Sequence, residues 1–376
     1  MNVSLNTEQY LKDLEYLVNI DSQSKDTEGV AKIGAFFEKA FAEIGWSVEK
    51  KELDPSVAPS LKFTNGKPPY DAFLLGHLDT VFPKGTVSER PFSRDEKRAY
   101  GPGVNDMKSG LLFGLYAARA LTESKAKGSF CIVYNSEEEI GSRHARSWIE
   151  DLAKQSRTAV ILEPARPNGN LMNERKGLGR IEVTFNGKAA HAGVEPEKGV
   201  SAVNEMACWI LGLHSLTDFE KGTTLNAGLV SGGTGANVVP EKASMTVDVR
   251  IRIPEEKDRI AAKIAELRAN PATPGISVDA DFFLTRPPMN PTQKTMKLCA
   301  LVEEAGRHAG VDVRWQGTGG GSDGNFTAAM GVPTVDGLGA MGGGSHSVTE
   351  YIEIGELPSR FALLLGVLER IPEAEF

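Results

Sequence analysis

Three cysteines in 376 residues, Cys131, Cys208 and Cys299, are too few and too scattered for a disulfide framework or a paired-cysteine metal site. They read as small buried apolar side chains. No apolar run approaches the roughly 18 residues of a membrane-spanning helix. A basic surplus is missing as well. Forty-two lysines and arginines face 50 aspartates and glutamates, a net charge of -8 that argues against nucleic-acid binding as a main role. The opening Met1–Tyr10 lacks the basic-then-apolar layout of a secretory leader, so a cytoplasmic location is expected. What is present is a globular composition, 40% apolar and 24% charged, in a chain long enough for two domains.

Short apolar strands alternate with amphipathic helices along the first 162 residues. The pattern predicts a helix over 28–44 stopped by Gly45, a strand over 46–53, a strand over 71–77 and a helix over 107–122. A strand over 130–134, a helix over 142–154 and a strand over 158–162 follow. That order implies an α/β domain with a largely parallel sheet covered on both faces. Binding groups in such sheets gather at the carboxyl ends of the strands.

Acid stands at each of those ends. The run at 71–76 closes on Gly76-His-Leu-Asp-Thr-Val81, where His77 and Asp79, two apart, project to one side. The strand at 130–134 is followed by Glu137, Glu138 and Glu139, and the one at 158–162 by Glu163. Three adjacent carboxylates after a buried strand repel one another unless a cation or a proton intervenes. Glu137 itself reads as a solvated neighbour. Between the first two strand ends, the loop Gly101-Pro-Gly-Val-Asn-Asp106-Met-Lys-Ser-Gly110 delivers Asp106 to a helix start, where a plain N-cap is the alternative role. Near the C-terminus, Gly342-Gly-Gly-Ser-His346-Ser places a histidine in a loop poorly suited to a core side chain. His77, Asp106, Glu139, Glu163 and His346 supply one shared carboxylate plus a histidine and a carboxylate for each of two ions. Such a set with open positions is the layout of a two-metal hydrolase.

At this point the chain resembles the di-zinc metallopeptidase family that contains carboxypeptidase G, acetylornithine deacetylase and succinyl-diaminopimelate desuccinylase. The carrying motifs are Gly76-His-Leu-Asp-Thr-Val81, Gly101-Pro-Gly-Val-Asn-Asp-Met-Lys108, Glu138-Glu139-Ile-Gly-Ser142, Leu162-Glu-Pro164 and Ser345-His346-Ser347. The resemblance implies a phosphorylase/hydrolase-like zinc exopeptidase domain. In it His77 and Glu163 hold one zinc, Glu139 and His346 the other, and Asp106 bridges; cobalt or manganese are alternative metals. It implies Asp79 as the carboxylate that orients His77, and Glu138 as general base toward a metal-activated water. It also implies a cis bond at Asp106–Met107. Two departures are minor: Ser109 stands where glycine is more usual, and the acid at 163 is glutamate, which goes with carboxypeptidases and deacylases more than with aminopeptidases.

The segment from about Lys176 to Arg286 reads differently. Its order is strand, helix, strand, strand, helix, strand, the ferredoxin-like arrangement, inserted between catalytic parts at 1–175 and 287–376. The resemblance makes this insert a lid and a homodimer contact. It matches His191 to a histidine offered from the partner subunit to the tetrahedral intermediate, and Asn237 and Arg250 to residues that hold the substrate carboxylate. Arginine's planar fork suits that task. Arg286 and Gly321 are further candidates for the substrate pocket.

Activity on a short peptide or N-acyl amino acid with a free carboxylate is therefore expected, with carboxypeptidase G-like release of a C-terminal glutamate first. An acetylornithine deacetylase-like or desuccinylase-like deacylase and a dipeptidase are the alternatives. Two remoter readings remain. Gly320-Gly-Ser322-Asp-Gly324 fits a nucleophile elbow, with Asp336 and His346 following in the order of a serine hydrolase. A non-catalytic binding protein on the same scaffold is the other.

Overall fold

Alternation along Tyr70–His77 sets the layering of the larger unit. Ala72 and Leu74 point to one face of the sheet, into a core shared with the helices Thr7–Val18, Thr27–Glu43, Ser109–Glu123, Gln293–Ala309 and Leu357–Arg370. Phe73 and Leu75 point to the other, against Ile149, Leu152, Phe326 and Val332. A strand buried on both faces needs apolar residues through its centre, and Ala72–Leu75 supplies them. The computed structural model describes residues 4–376, and the chain divides into two units. One comprises the described residues to Glu174 with Met289–Thr318 and Ser322–Phe376; the other is Arg175–Pro288 with Gly319–Gly321.

The larger unit holds an eight-stranded sheet in the order Ser47–Lys51, Ser60–Thr64, Phe130–Asn135, Tyr70–His77, Ser156–Ile161, Thr334–Asp336, Leu171–Arg175, Trp315–Thr318. Its four central strands, Phe130–Asn135 through Thr334–Asp336, are parallel. Antiparallel pairing flanks them on both sides. The sheet is thus mixed rather than largely parallel. The five-residue strand Ser60–Thr64, with Lys62 at its centre, is too short to announce itself by periodicity, and it turns that flank antiparallel.

Register aligns the strand ends. Gly76 pairs with Tyr134 and His77 with Asn135, while Leu75 pairs with Ile161. The segments carrying Asp79, Glu137–Glu139 and Glu163 therefore leave the sheet along one edge. Helix bounds shift modestly from the sequence reading. The helix expected over 107–122 runs Ser109–Glu123, preceded by an irregular turn at Val104–Lys108, and that over 142–154 starts only at Arg146. The helix Thr27–Glu43 begins under Asp26, whose side chain accepts from Gly29 N–H.

The second unit has strand–helix–strand–strand–helix–strand order and a four-stranded antiparallel sheet, Thr224–Gly232, Lys242–Ile251, Gly177–Asn186, Ser277–Arg286. The helices Ala202–His214 and Glu256–Ala269 bury Trp209, Ile260 and Ile264 against Ile181, Phe185, Val247 and Val249. That is the ferredoxin-like arrangement. Cys131 and Cys299 are buried as expected, but Cys208 is exposed, because it lies on the outer stripe of Ala202–His214 beside the buried Trp209. Among the described residues no helix is long and apolar enough to cross a membrane.

Candidate metal centre

Five side chains from separate segments of the larger unit meet at the aligned strand ends. His77 closes its strand with a buried ring. Nε2 of that ring is 3.2 Å from Asp106 Oδ1 and 3.6 Å from Glu163 Oε1. His346 Nε2 is 3.3 Å from the other oxygen, Asp106 Oδ2, and 3.3 Å from Glu139 Oε2. Asp106 thus presents one oxygen to each of two histidine–carboxylate pairs. Two donor groups result, His77–Asp106–Glu163 and Asp106–Glu139–His346, each with its ligand atoms within 4.8 Å of one another.

Two of the donors sit on irregular backbone. Asp106 is not an N-cap: it lies in the turn before Ser109–Glu123 with φ -117° and ψ 92°, and its bond to Met107 is cis. His346 adopts φ 64° at the end of the glycine run. Within that run Gly342 has no room for a side chain, since a Cβ would lie 2.1 Å from Tyr351 O and 2.4 Å from Asn105 Oδ1. Close approach of the two loops explains the glycine there.

The donor set fits divalent cations. Glu139 Oε1 is buried with no hydrogen-bond partner among the described residues, an arrangement that is costly unless a cation or proton meets it. Burial, reinforced by Asp106, pushes the carboxyls of Glu163 and Glu139 above their ordinary range. Asp106 goes the opposite way: although buried, it is held far below the usual carboxylate range by His346 and His77. His346 is pushed up to about 10 by Asp106 and Glu139. Carboxylates outnumber cationic groups here, which is the chemistry of an oxygen- and imidazole-rich site for zinc and related ions.

Around the donors, Asp79 does more than back His77. The ring Nδ1 is 2.9 Å from the Asp79 carbonyl oxygen and 3.4 Å from carboxylate Oδ1. The carboxylate also accepts the N–H groups of Glu138 and Glu139 and the Ser24 hydroxyl. Glu138 begins a single 3-10 turn, Glu138–Ile140, and is half-buried.

Glu137 is the clear correction. Far from being solvated, it is fully buried, and its carboxylate accepts from His144 N, Ala145 N and His144 Nδ1. It ties the strand end to the start of the helix Arg146–Lys154. The serine-hydrolase constellation is also overturned. Ser322 Oγ donates directly to Asp336 Oδ2 at 2.6 Å, with no imidazole interposed, and His346 lies against Asp106 and Glu139 instead.

The remaining candidates lie in the smaller unit. His191 is exposed, and its segment pairs with that of Asn237: residue 191 bridges Val238, and Ala192 N donates to Asn237 O. Arg250 closes its fork on Asp248, with Nε and Nη2 at 2.9 and 3.0 Å, while Nη1 donates to Gly319 O. Gly321 packs tightly on the buried Arg286; a Cβ there would lie 2.8 Å from its Cδ.

Known proteins resemble this chain in sequence and in fold. The peptidase family M20/M25/M40 matches residues 73–370. Carboxypeptidase G2 of Pseudomonas sp. (strain RS-16) is 31% identical over 93% of this chain and 86% of its own. In structure, the aminopeptidase PepT of Bacillus cereus ATCC 10987 superposes with a TM-score of 0.82 at 25% identity, over 98% of this chain and 99% of its own. An M20 family metallo-carboxypeptidase of Sulfolobus solfataricus, Sso-CP2, shares the fold with a TM-score of 0.77 at 17% identity, over 97% and 100% of the two chains.

Proposed function

The chain belongs to peptidase family M20/M25/M40, a family of metal-dependent hydrolases, and from that premise we propose a two-metal exopeptidase that cleaves the amide of a peptidyl or N-acyl amino acid with a free carboxylate. Release of a C-terminal glutamate, in the manner of carboxypeptidase G, is the preferred case. The observation that carries the reading is Asp106, whose two oxygens face two separate histidine–carboxylate pairs. His77 and Glu163 would hold one ion, Glu139 and His346 the other, with Asp106 shared and zinc the preferred metal. When bound, the ions polarise the scissile carbonyl and bring ionisation of the attacking water toward neutral pH.

The chain's own residues supply proton transfer and orientation. Glu138 takes a proton from the water on its carboxylate and delivers it to the leaving amine nitrogen. Asp79 supports this by gripping the Glu138 and Glu139 amides, which fixes the base beside a ligand. It also accepts from His77 Nδ1, leaving Nε2 free as donor atom.

Arg250 and Asn237 bind the substrate carboxylate, with Arg286 and Gly321 shaping the pocket. In this reading the incoming carboxylate displaces Asp248 from the Arg250 fork, since both are planar two-oxygen acceptors. His191, on an exposed loop, acts across a homodimer. Support for that dimer comes from the edge strand Thr224–Gly232, which exposes Leu229 and Val230, and from Leu211 on the neighbouring helix Ala202–His214.

The deciding experiment pairs metal content by elemental analysis with a panel of N-acyl amino acids and dipeptides. Two equivalents of metal and hydrolysis confined to substrates with a free α-carboxylate are expected. Hydrolysis that persists after complete metal removal would sink the proposal.

A further inference from the structure

Glu350 lies four residues beyond His346 and is completely buried. Its carboxylate accepts three main-chain N–H groups from the loop that carries Asp106: Asn105 N and Asp106 N at 2.9 Å on Oε1, and Gly103 N at 3.0 Å on Oε2. A second tie runs alongside, Asn105 Nδ2 to Ser345 Oγ at 3.0 Å. One loop thus carries the shared carboxylate, the other a histidine, and Glu350 binds them together. Three amides converging on one carboxylate form an anion-binding concavity filled by the protein's own side chain.

We propose that Glu350 is a positioning residue for the metal position formed by Asp106, Glu139 and His346, holding Asp106 Oδ2 and His346 Nε2 at their observed 3.3 Å spacing. This rests on the metal reading of the preceding subsection. The two metal positions do not depend on Glu350 equally. His77 and Glu163 follow sheet strands whose ladders fix them independently. His346 instead lies in the glycine-rich turn between the paired segments Gly342–Gly343 and Tyr351–Glu353, and that turn is tied to the Asp106 loop through Ser345 and Glu350. Loss of the carboxylate therefore acts on Asp106 and His346 together, and residues that orient ligands typically govern affinity by about 10–100-fold.

Glu350→Gln is the discriminating variant. It keeps size and one acceptor oxygen but turns an amide NH2 toward an N–H donor. Zinc binding is measured by competition with a chelating indicator on metal-free protein, wild type beside variant. The expected result is a folded variant in which both equivalents, sharing Asp106, bind more weakly than in wild type, one of them by a further factor of about ten or more. Its turnover at limiting zinc falls and is recovered by excess zinc, with KM unchanged. A folded variant that binds both equivalents with wild-type affinity overturns the inference. If Glu350→Gln does not fold, Glu350→Asp, which keeps the charge but shortens the reach, is measured in the same way. Failure of both to fold would make Glu350 a residue of the fold alone and overturn the inference too. Wild-type protein that binds no zinc refutes the metal reading itself, and that outcome is read before any variant is made.

Discussion

The carboxylate of Asp79 accepts the backbone N–H of Glu138 at 3.1 Å, and its second oxygen accepts that of Glu139 at 3.2 Å. One acidic side chain, itself fully buried, thus fixes the base candidate and a ligand candidate together while its carbonyl holds His77. Asp79→Asn keeps the shape but places an NH2 where an acceptor is needed. We expect kcat to fall about 10–100-fold with metal content near wild type, measured by steady-state kinetics and elemental analysis. A near-normal kcat would confine Asp79 to a structural role.

Glu138 is the residue with the sharpest expected phenotype. Removing a general base typically costs about 10²–10⁴-fold in turnover. Glu138→Ala leaves all five donor residues intact, so it should retain the wild-type metal content while losing turnover on that scale. If turnover stays near normal, another group takes the proton.

Why these residues were legible in the sequence, and others were not, follows from where their partners come from. His77, Glu139 and Glu163 each follow an apolar strand, so local periodicity alone places them at the sheet edge. His346 and Asp106 announced themselves through glycine. Glu137 and Glu350 gave no such sign. A carboxylate becomes a buried anchor only when amides arrive from elsewhere, from His144 and Ala145 for one and from Gly103, Asn105 and Asp106 for the other. The antiparallel flank of the sheet escaped for a related reason. Ser60–Thr64 owes its burial to pairing with Phe130–Asn135 rather than to an apolar run of its own.

Ser322 separates metal chemistry from serine chemistry. Its hydroxyl is committed to Asp336, so Ser322→Ala should leave kcat within about threefold while lowering stability by about 1–2 kcal/mol through the lost buried hydrogen bond. Prolonged chelation of wild-type protein should abolish turnover, with zinc restoring it. Both halves are read by one activity assay and a denaturant titration. Loss of turnover in Ser322→Ala with chelator resistance in wild type would reverse the assignment.

The exposed edge of the smaller unit bears on assembly. Leu229 is 70% exposed on the edge strand Thr224–Gly232, so Leu229→Asp places a charge where a second copy would pair. Light scattering should show a dimer for wild type and a monomer for the variant. Mixed dimers of His191→Ala and Glu138→Ala subunits should recover part of the activity that each homodimer lacks. No recovery would place the His191 role within its own subunit or remove it.

Part of the acid sensitivity of the smaller unit should trace to Glu256. Burial alone would raise its carboxyl, but bonds from Arg259 and from the Thr223 hydroxyl outweigh that and hold it below the ordinary glutamate value of 4.5. A carboxyl with a depressed folded-state pKa binds protons less readily than its unfolded counterpart. Its stabilisation is therefore complete above pH 4.5 and is lost as the pH falls through the folded value. Glu256→Gln should therefore be less stable than wild type at pH 7, where the carboxylate is ionised. Urea titrations at pH 7 and pH 3 test this: the gap between the two proteins should narrow at pH 3. A gap of constant size would show that Glu256 contributes through shape and neutral hydrogen bonding, with its charge contributing nothing.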